Sequence, residues 1–313
     1  MNIELLSKIA WLYYYEDQSQ QQISDALGIP RIKVVRLLKV IREKKIVEIK
    51  ISRKYISLFE TEKQFKETTG LDDVTVVPGG TNPASNIGYA ASLRLGELCK
   101  KHESIGIGAS RAISSTLAQL EELKQKKVKR LISLTGNTMP NYALNPASNF
   151  CSRAIMVAQR LDIDFFNIWA PAIASTNEAA QALRNDYMMK SILEMANSVD
   201  CAMIGLGDVK DTVLLPHGFI GKEDLAALKA NGAVGDIFTH FFDIDGNIIH
   251  TSIETRSMTA DVPMKCPVIA VAYGENKVQP IIGAIRGHFI TGIVTDEDTA
   301  SAVIDTMRGK QKE

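Results

Sequence analysis

The stretch from residue 19 to residue 45 most constrains what this chain can fold into, because it has the pattern of two short helices joined by a tight turn. Ile23, Ala26 and Leu27 have the spacing of an inner face on the first helix, and Gly28 follows where a left-handed backbone is needed. In the second helix, apolar and basic residues alternate at helical spacing. The apolar positions are Val34, Leu37, Leu38 and Ile41, and the basic positions are Arg31, Lys33, Arg36, Lys39 and Arg42.

A basic helix taken alone is more often a solvated surface than a binding site. Here the preceding helix, the glycine turn and the position near the amino terminus together favour a DNA-reading helix-turn-helix, with one face buried and the other presenting cations. The residues expected to contact DNA are Gln20, Gln21, Arg31, Lys33, Arg36, Lys39, Lys50 and Arg53. Among them, Arg31, Lys33 and Arg36 would enter the major groove.

The flanking residues complete a small domain over residues 1–54. A leading helix has an apolar stripe, and residues 46–51 alternate with the period of a strand, as in the wing of a winged helix-turn-helix. The stripe consists of Ile3, Leu6, Ile9, Ala10 and Tyr13. Residues 1–54 hold eleven Lys and Arg against six Asp and Glu, whereas the whole chain has 36 of each. The sequence therefore predicts a cationic module for nucleic acid attached to a larger, slightly acidic domain.

The bulk composition is that of a soluble globular protein. The chain has 313 residues, of which 45% are apolar and 23% charged. Its apolar runs are shorter than a bilayer span, and it does not begin with a secretory leader, so we expect a cytoplasmic protein without a membrane partner. Its four cysteines are far apart and form no CxxC motif, so we expect reduced core cysteines, no metal site and no cofactor.

Residues 55–313 alternate short apolar runs with amphipathic helical stretches, which predicts an α/β domain with a mainly parallel sheet covered on both faces. Residues 55–69 are expected to form a connecting helix. The predicted strands are 74–77, 104–107, 131–134, 165–168, 201–206, 268–271 and 290–294. The predicted helices are 84–100, 111–125, 147–159, 177–197, 222–230, 277–286 and 297–308.

Ligands of such sheets bind at the carboxyl ends of the strands, where this chain has several polar residues. Gly108, Ser110 and Arg111 follow one strand and open a helix, an arrangement that binds phosphate but that can also serve only tight packing. Asp236 lies among apolar residues, where a carboxylate needs a partner, a turn or a ligand. Lys277 follows another strand and either meets an anionic ligand or is a solvated first-turn residue.

The chain resembles the SorC family of bacterial transcriptional regulators over essentially its whole length. The resemblance is carried by Ser19–Ser24, Leu27-Gly28 and Val35–Leu38 in the first domain, and in the second by Gly232-Ala-Val-Gly-Asp236, Phe241–Gly246, Gly274–Lys277 and Val294–Glu297. Within the family it is most similar to the branch of the repressors of erythritol catabolism and autoinducer-2 uptake. At Pro30 and Val35 the family usually has hydroxyl residues, which puts the usual operator preference in doubt.

The resemblance implies a Rossmann-like effector domain related to sugar-phosphate isomerases and deaminases. It also implies a homotetramer that represses a carbohydrate or polyol catabolic operon and responds to a phosphorylated sugar or polyol. The effector residues that it implies are Gly108, Ser110, Arg111, Thr135, Gly136, Asn137, His217, Asp236 and Lys277. The partners are then double-stranded operator DNA and that effector.

The alternative is an enzyme, a sugar-phosphate isomerase or deaminase with an accessory DNA module. Such chemistry needs an acid and a base over the same carbons of the sugar. Asp236 with His217 or His240 are the available candidates, and the sequence shows no compact constellation of Asp, Glu and His around them. We therefore expect a regulator without catalytic residues.

Overall fold

The structure, a computed structural model, describes residues 3–44, 46–47, 53–79, 83–137, 150–210, 214 and 218–309, with the backbone alone for 53–57 and 83. The chain divides into two units, Met1–Ile56 and Ser57–Glu313. No helix among the described residues is long and apolar enough to cross a membrane.

The described residues of the first unit include the helices α1 (Ile3–Tyr14), α2 (Gln20–Leu27) and α3 (Arg31–Glu43). Ser19 and Gln22 form a capping box that starts α2, and each side chain accepts a backbone N–H of the other residue. Gly28 ends α2 with φ of 61°, the left-handed conformation predicted for the turn.

The core of this unit confirms the predicted buried face of α3. Its buried side chains come from all three helices and are Leu6, Ile9, Ala10, Ile23, Val34, Leu37, Leu38 and Ile41. Two predictions were wrong: Ile3 is 70% exposed, and Ala26 is also exposed. Residues 46–47 form a bend, and residues 48–52 of the predicted wing lie outside the described residues.

The second unit contains a seven-stranded sheet in which every pairing is parallel. Its strands are β1 (Asp73–Val77), β2 (Ser104–Ile107), β3 (Arg130–Ser133), β4 (Asp164–Phe166), β5 (Cys201–Gly205), β9 (Val268–Val271) and β10 (Gly292–Asp296). These are the seven predicted strands, with ends that differ from the prediction by at most two residues. Successive residues of β5 and β9 alternate between two core clusters, so both faces of the sheet are buried.

Helices connect the strands, as the alternating pattern predicts, but the helix predicted over 111–125 ends at Gln119, and the short helix Ser252–Arg256 was not predicted. They are α4 (Arg53–Thr69), α5 (Pro83–Lys101), α6 (Arg111–Gln119), α7 (Phe150–Leu161), α8 (Asn177–Asn185), α9 (Tyr187–Asn197), α10 (Lys222–Ala230), α11 (Ser252–Arg256), α12 (Val278–Arg286) and α13 (Glu297–Met307). The single helix predicted over 177–197 is two helices, because Asp186 interrupts it and its carboxylate caps α9 by accepting the N–H groups of Met188 and Met189.

The strand order is β1-β10-β9-β5-β2-β3-β4. From β2 the chain moves outward through β3 to β4, then returns to β5 and builds towards the opposite edge. The direction therefore reverses between β2 and β5, which is the switch point where ligands of such sheets bind.

A second, antiparallel sheet was not predicted. It consists of β6 (Gly207–Asp208), β7 (Ala233–Ile237) and β8 (His240–Asp243), in the order β6-β7-β8. Since β6 begins two residues after β5, this sheet starts at the carboxyl edge of the large sheet. It carries Asp236 in its central strand.

Candidate functional site

The outer surface of α3 presents the predicted cations to solvent. Arg31, Lys33, Arg36 and Lys39 are all exposed, and the opposite face of the helix is buried. Lys39 forms an ion pair with Glu43 at 3.8 Å, but both side chains are well exposed, so the pair contributes little and leaves Lys39 able to meet a phosphate.

The other residues predicted to contact DNA lie in different structural environments. At the start of α2, Gln20 is half-buried, and the exposed Gln21 donates its side-chain amide to Asp25 at 2.9 Å. Lys50 lies outside the described residues. Arg53 was predicted in the wing but is the first residue of α4, because the connecting helix starts two residues earlier than its apolar pattern indicates.

At the switch point, Gly108 and Ser110 connect β2 to α6. The Gly108 N–H donates to the Met203 carbonyl of β5 at 3.0 Å, which fixes the loop to the neighbouring strand. Ser110 accepts the N–H of Ile113 at 3.1 Å as the N-cap of α6, and it packs so closely on Gly205 that a Cβ there would overlap it. The N–H groups of Arg111 and Ala112 lie in the first turn, where the helix itself offers no acceptor.

The hairpin between β7 and β8 closes over this loop. Its two turn residues, Phe238 and Thr239, have φ of 52° and 73°, and both side chains are buried. Left-handed backbone in a bulky and in a β-branched residue costs about 1–3 kcal/mol each and is found mainly where function requires it. A Cβ on Gly108 would stand 2.7 Å from the Phe238 ring, so only glycine fits beneath the hairpin tip.

Asp236 holds this turn. Its Oδ2 accepts the Thr239 N–H at 3.1 Å, and its carboxylate lies against Gly207 of β6. Burial raises the pKa of Asp236; the Thr239 N–H and the positive charge of Lys277 partly oppose this rise, and the negative charge of Asp208 adds to it. The Asp236 carboxylate accepts one hydrogen bond from the described residues, that of the Thr239 N–H, and it is still partly exposed, so hydroxyl groups of a ligand can donate to it.

Lys277 lies on the β5 side of the switch point, opposite to the loop that follows β2. It ends a 3-10 helix, Glu275–Lys277, that follows β9, and its side chain is partly buried. This 3-10 helix contacts β6, the strand that pairs with Asp236, and the positive charge of Lys277 lowers the pKa of Asp236, so the fold brings these two distant predicted residues near each other.

The segment Thr135–Asn137 is less available than the resemblance implies. The Gly136 N–H donates to Met258 O at 2.8 Å and the Asn137 N–H to Ala170 O at 2.7 Å, so these two N–H groups are already used within the protein. The Asn137 Oδ1 accepts from Cys151 at 3.4 Å. The Thr135 hydroxyl is buried and has no hydrogen-bond partner among the described residues. His217 lies outside the described residues.

His240 does not meet Asp236. Ile237 pairs with His240 and Asp236 with Phe241, so the side chains of Asp236 and His240 leave opposite faces of the hairpin. His240 instead contacts Thr259 at 3.3 Å and lies 3.8 Å from Glu254, and burial lowers its pKa. This geometry separates the acid and base that an Asp236–His240 mechanism needs.

Three residues that shape this region were not among the predicted effector residues: Gly207, Phe238 and Thr239. Asp208, next to Gly207, also has a buried carboxylate oxygen with no partner in the described structure. The Gly205-Leu-Gly207 sequence was a signal for close backbone approach. No comparable signal marked Phe238 and Thr239, because hairpin turns of this type usually contain Asn or Gly.

Comparison with known proteins decides the family. Residues 53–305 match the Sugar-bind family, described as "Putative sugar-binding domain". The transcriptional regulator LsrR of Escherichia coli K12 is 31% identical, in an alignment that covers 96% of this chain and 94% of LsrR. The chain belongs to the SorC family of transcriptional regulators.

Solved structures agree with this assignment. The crystal structure of the full-length sorbitol operon regulator SorC from Klebsiella pneumoniae has 28% identity and a TM-score of 0.74, and the match covers 97% of this chain and 99% of SorC. A protein from Shigella flexneri described as "Probable sor Operon Regulator", at 24% identity and a TM-score of 0.71, shares the fold over 79% of this chain and 99% of its own. The chain is therefore a sugar-responsive DNA-binding regulator of the SorC family.

Proposed function

We propose that this SorC-family regulator represses an operon for carbohydrate or polyol catabolism and that a phosphorylated sugar or polyol releases it from DNA. The observation that carries the proposal is Asp236, a partly buried carboxylate held by a strained hairpin at the switch point of the sheet. It lies near Lys277 on one side. The tip of its hairpin packs on Gly108, in the loop that connects β2 to α6.

The phosphate end of the effector binds at the start of α6. Helix N-termini attract anions through unpaired N–H groups and the helix dipole. The Ser110 hydroxyl accepts from Ile113 and keeps its own hydrogen for a phosphate oxygen, and the exposed Arg111 supplies a full positive charge. Because the N–H groups of Gly136 and Asn137 are already used, phosphate binding rests on α6 and not on the loop after β3.

The hydroxyl end of the effector binds at Asp236. A carboxylate accepts hydrogen bonds from two neighbouring hydroxyls, and such bonds are stronger than those between neutral groups. Lys277 interacts with the same ligand as a donor, and Thr135 contributes its buried hydroxyl. This arrangement favours a ligand with a phosphate at one end and hydroxyl groups along its length.

The first unit binds DNA. Arg31, Lys33 and Arg36 reach base edges in the major groove, while Lys39, Lys50 and Arg53 neutralise phosphates, with Gln20 and Gln21 at the start of α2. The effector changes DNA affinity only if it favours one arrangement of the assembly over another. That assembly is proposed to be a homotetramer, as the resemblance implies, and its proposed location is the cytoplasm.

A thermal-shift screen with matched ligand pairs tests the proposal. The purified chain is heated with phosphorylated sugars and polyols and with their dephosphorylated forms. A ligand that binds only the folded state raises the melting temperature, and about 2.7 kcal/mol of stabilisation is expected at a hundred times the Kd. We expect shifts only with the phosphorylated member of a pair, and the active compound should lower the protein's affinity for its promoter DNA in a fluorescence-anisotropy titration. Shifts of equal size with both members would refute the phosphate site.

The enzyme alternative has a direct test of its own. Pure protein is incubated with the sugar phosphates that bind, and product is followed by chromatography. We expect no turnover, because Asp236 and His240 face away from each other. Turnover that disappears in Asp236→Asn would establish catalysis.

A further inference from the structure

The centre of the exposed face of α3 is an apolar residue, Ile32. It is nine positions from the buried Ile41, which at about 100° per residue places the two on opposite sides of the helix. Ile32 is 68% exposed, and Val35, one turn further on, is 44% exposed. The basic residues Arg36 and Lys39 share this face, since positions 32, 35, 36 and 39 have the i, i+3, i+4, i+7 spacing.

Single exposed apolar residues are common and need no explanation. Two exposed apolar residues on one narrow face, with cations beside them, do need an explanation. Neither side chain belongs to the core of the unit, which lies on the opposite side of α3. Polar residues would cost less at these positions if the face met only water, so the pair points to a partner with both anionic and apolar groups.

The major groove of DNA is such a partner. Phosphates line its edges, and the C5-methyl group of thymine is its apolar contact point for protein side chains. A second copy of this face fits poorly, because Arg36 and Lys39 would meet their own counterparts. The charge balance of residues 1–54, eleven basic against six acidic, also favours a polyanion.

We propose that Ile32 and Val35 contact thymine methyl groups. Together with Arg36, they determine which operator sequence the protein prefers. The proposal rests on DNA binding by α3. Neighbouring positions one turn apart on a helix are about 5–6 Å apart, which spans one to two base steps. Each half-site should therefore contain thymines next to the base pair that Arg36 reads.

Deoxyuracil scanning tests this contact. Duplexes that bind the full-length protein are first selected from a random library at low salt, without added metabolites. Each thymine of the selected site is then replaced by deoxyuracil, which lacks only the methyl group. We expect affinity to fall about fourfold at one or two thymines of each half-site, the effect of losing one buried methyl-sized group, and to stay unchanged elsewhere.

Two alanine variants test which side chain contacts which thymine methyl group. In Ile32→Ala and in Val35→Ala the deoxyuracil effect should vanish at one thymine each, because the contact is already missing. Ile3→Ala is the matched control: it removes the same side chain at 70% exposure from α1 and should keep every deoxyuracil effect. Both test positions are exposed, so the variants should fold, and circular dichroism checks that they do.

The outcomes separate this inference from DNA binding itself. If the wild-type protein enriches no duplex, both fail. If it enriches a site whose affinity does not depend on thymine methyl groups, or if the variants keep the wild-type dependence, DNA binding stands and the roles of Ile32 and Val35 are refuted. A change of oligomer mass in Ile32→Ala with unaltered methyl dependence would show that the face meets protein and would also refute them.

Discussion

Gly207 and Asp236 face each other across strands β6 and β7, and a Cβ atom on Gly207 would overlap the Asp236 carboxylate. Gly207→Ala should therefore displace Asp236 from the effector site. We expect a cost of about 1–3 kcal/mol in the free energy of unfolding, typical of overpacking. The rise in melting temperature caused by the phosphorylated ligand should fall sharply, while DNA binding without ligand stays close to that of the wild type.

Gly96→Ala is the control for that substitution. A Cβ at Gly96, in the middle of α5, would lie 3.4 Å from Leu123, an ordinary contact, and alanine favours helix by about 1 kcal/mol. This variant should be as stable as the wild type or more stable and should respond fully to ligand. A full ligand response in Gly207→Ala would mean that Asp236 does not touch the effector.

Asp236→Asn should stabilise the ligand-free protein at neutral pH. Burial raises the pKa of Asp236 in the folded state, so the folded protein binds the proton more tightly than the unfolded chain. Stability is then lost as the pH rises from the ordinary aspartate pKa, about 4, through the raised value. Asparagine has no charge to desolvate and can still accept the Thr239 N–H, so the variant should exceed the wild type in urea melts at pH 7.5, and the gap should narrow towards pH 4.

Asp243→Asn, seven residues away, should behave in the opposite way. Partial burial opposes ionisation of Asp243, but hydrogen bonds from the Asn247 side chain and from backbone N–H groups outweigh it and lower its pKa. Its contribution is present above the ordinary aspartate pKa and disappears as the pH falls through the lowered value. This variant should lose stability at pH 7.5, and a gain there would contradict the assignment.

Ser110→Ala should weaken both the fold and phosphate binding. Loss of an N-cap costs about 1 kcal/mol, and the same hydroxyl is proposed to donate to the effector phosphate. Thr176 caps α8 in the same way, at 3.1 Å to the Ala179 N–H, but has no part in the proposed site. Thr176→Ala should show a similar loss of stability with a normal ligand-induced shift. An equal ligand-induced rise in melting temperature in the two variants would show that Ser110 does not contact the effector.

Local periodicity explains which parts of the fold could be predicted. The buried face of α3 follows from Val34, Leu37, Leu38 and Ile41 at helical spacing, and the seven strands of the large sheet follow from short apolar runs between helices. The break at Asp186 was missed because the apolar pattern continues on both sides, although aspartate is a frequent N-cap.

The antiparallel sheet and the assembly of the site could not be predicted, because they depend on contacts distant in sequence. Strand β6 has two residues, too few for any pattern, and Phe238-Thr239 replaces the Asn or Gly expected in such a turn. The proximity of Asp236 to Lys277 exists only once the three-stranded sheet and the loop after β9 reach the same edge. That the N–H groups of Gly136 and Asn137 are occupied is equally invisible in the sequence, since their acceptors are Met258 and Ala170.

Arg36 and Lys39 lie side by side on the outer face of α3 but should affect DNA binding differently. Arg36 is placed to read a base, so Arg36→Ala should cost about 1–3 kcal/mol on the selected operator and relax the preference at one base pair. Lys39 is placed for a phosphate, so Lys39→Ala should weaken binding to operator and random DNA alike and lower the slope of log affinity against log salt by about one. Anisotropy titrations at several salt concentrations, on operator and random duplexes, measure both effects.

Because Lys39 also pairs with Glu43, Glu43→Ala is the control for the Lys39 variant. It removes a weak exposed ion pair and should leave the salt slope unchanged or slightly higher. Equal losses on operator and random DNA for Arg36→Ala would mean that Arg36 contacts only the backbone.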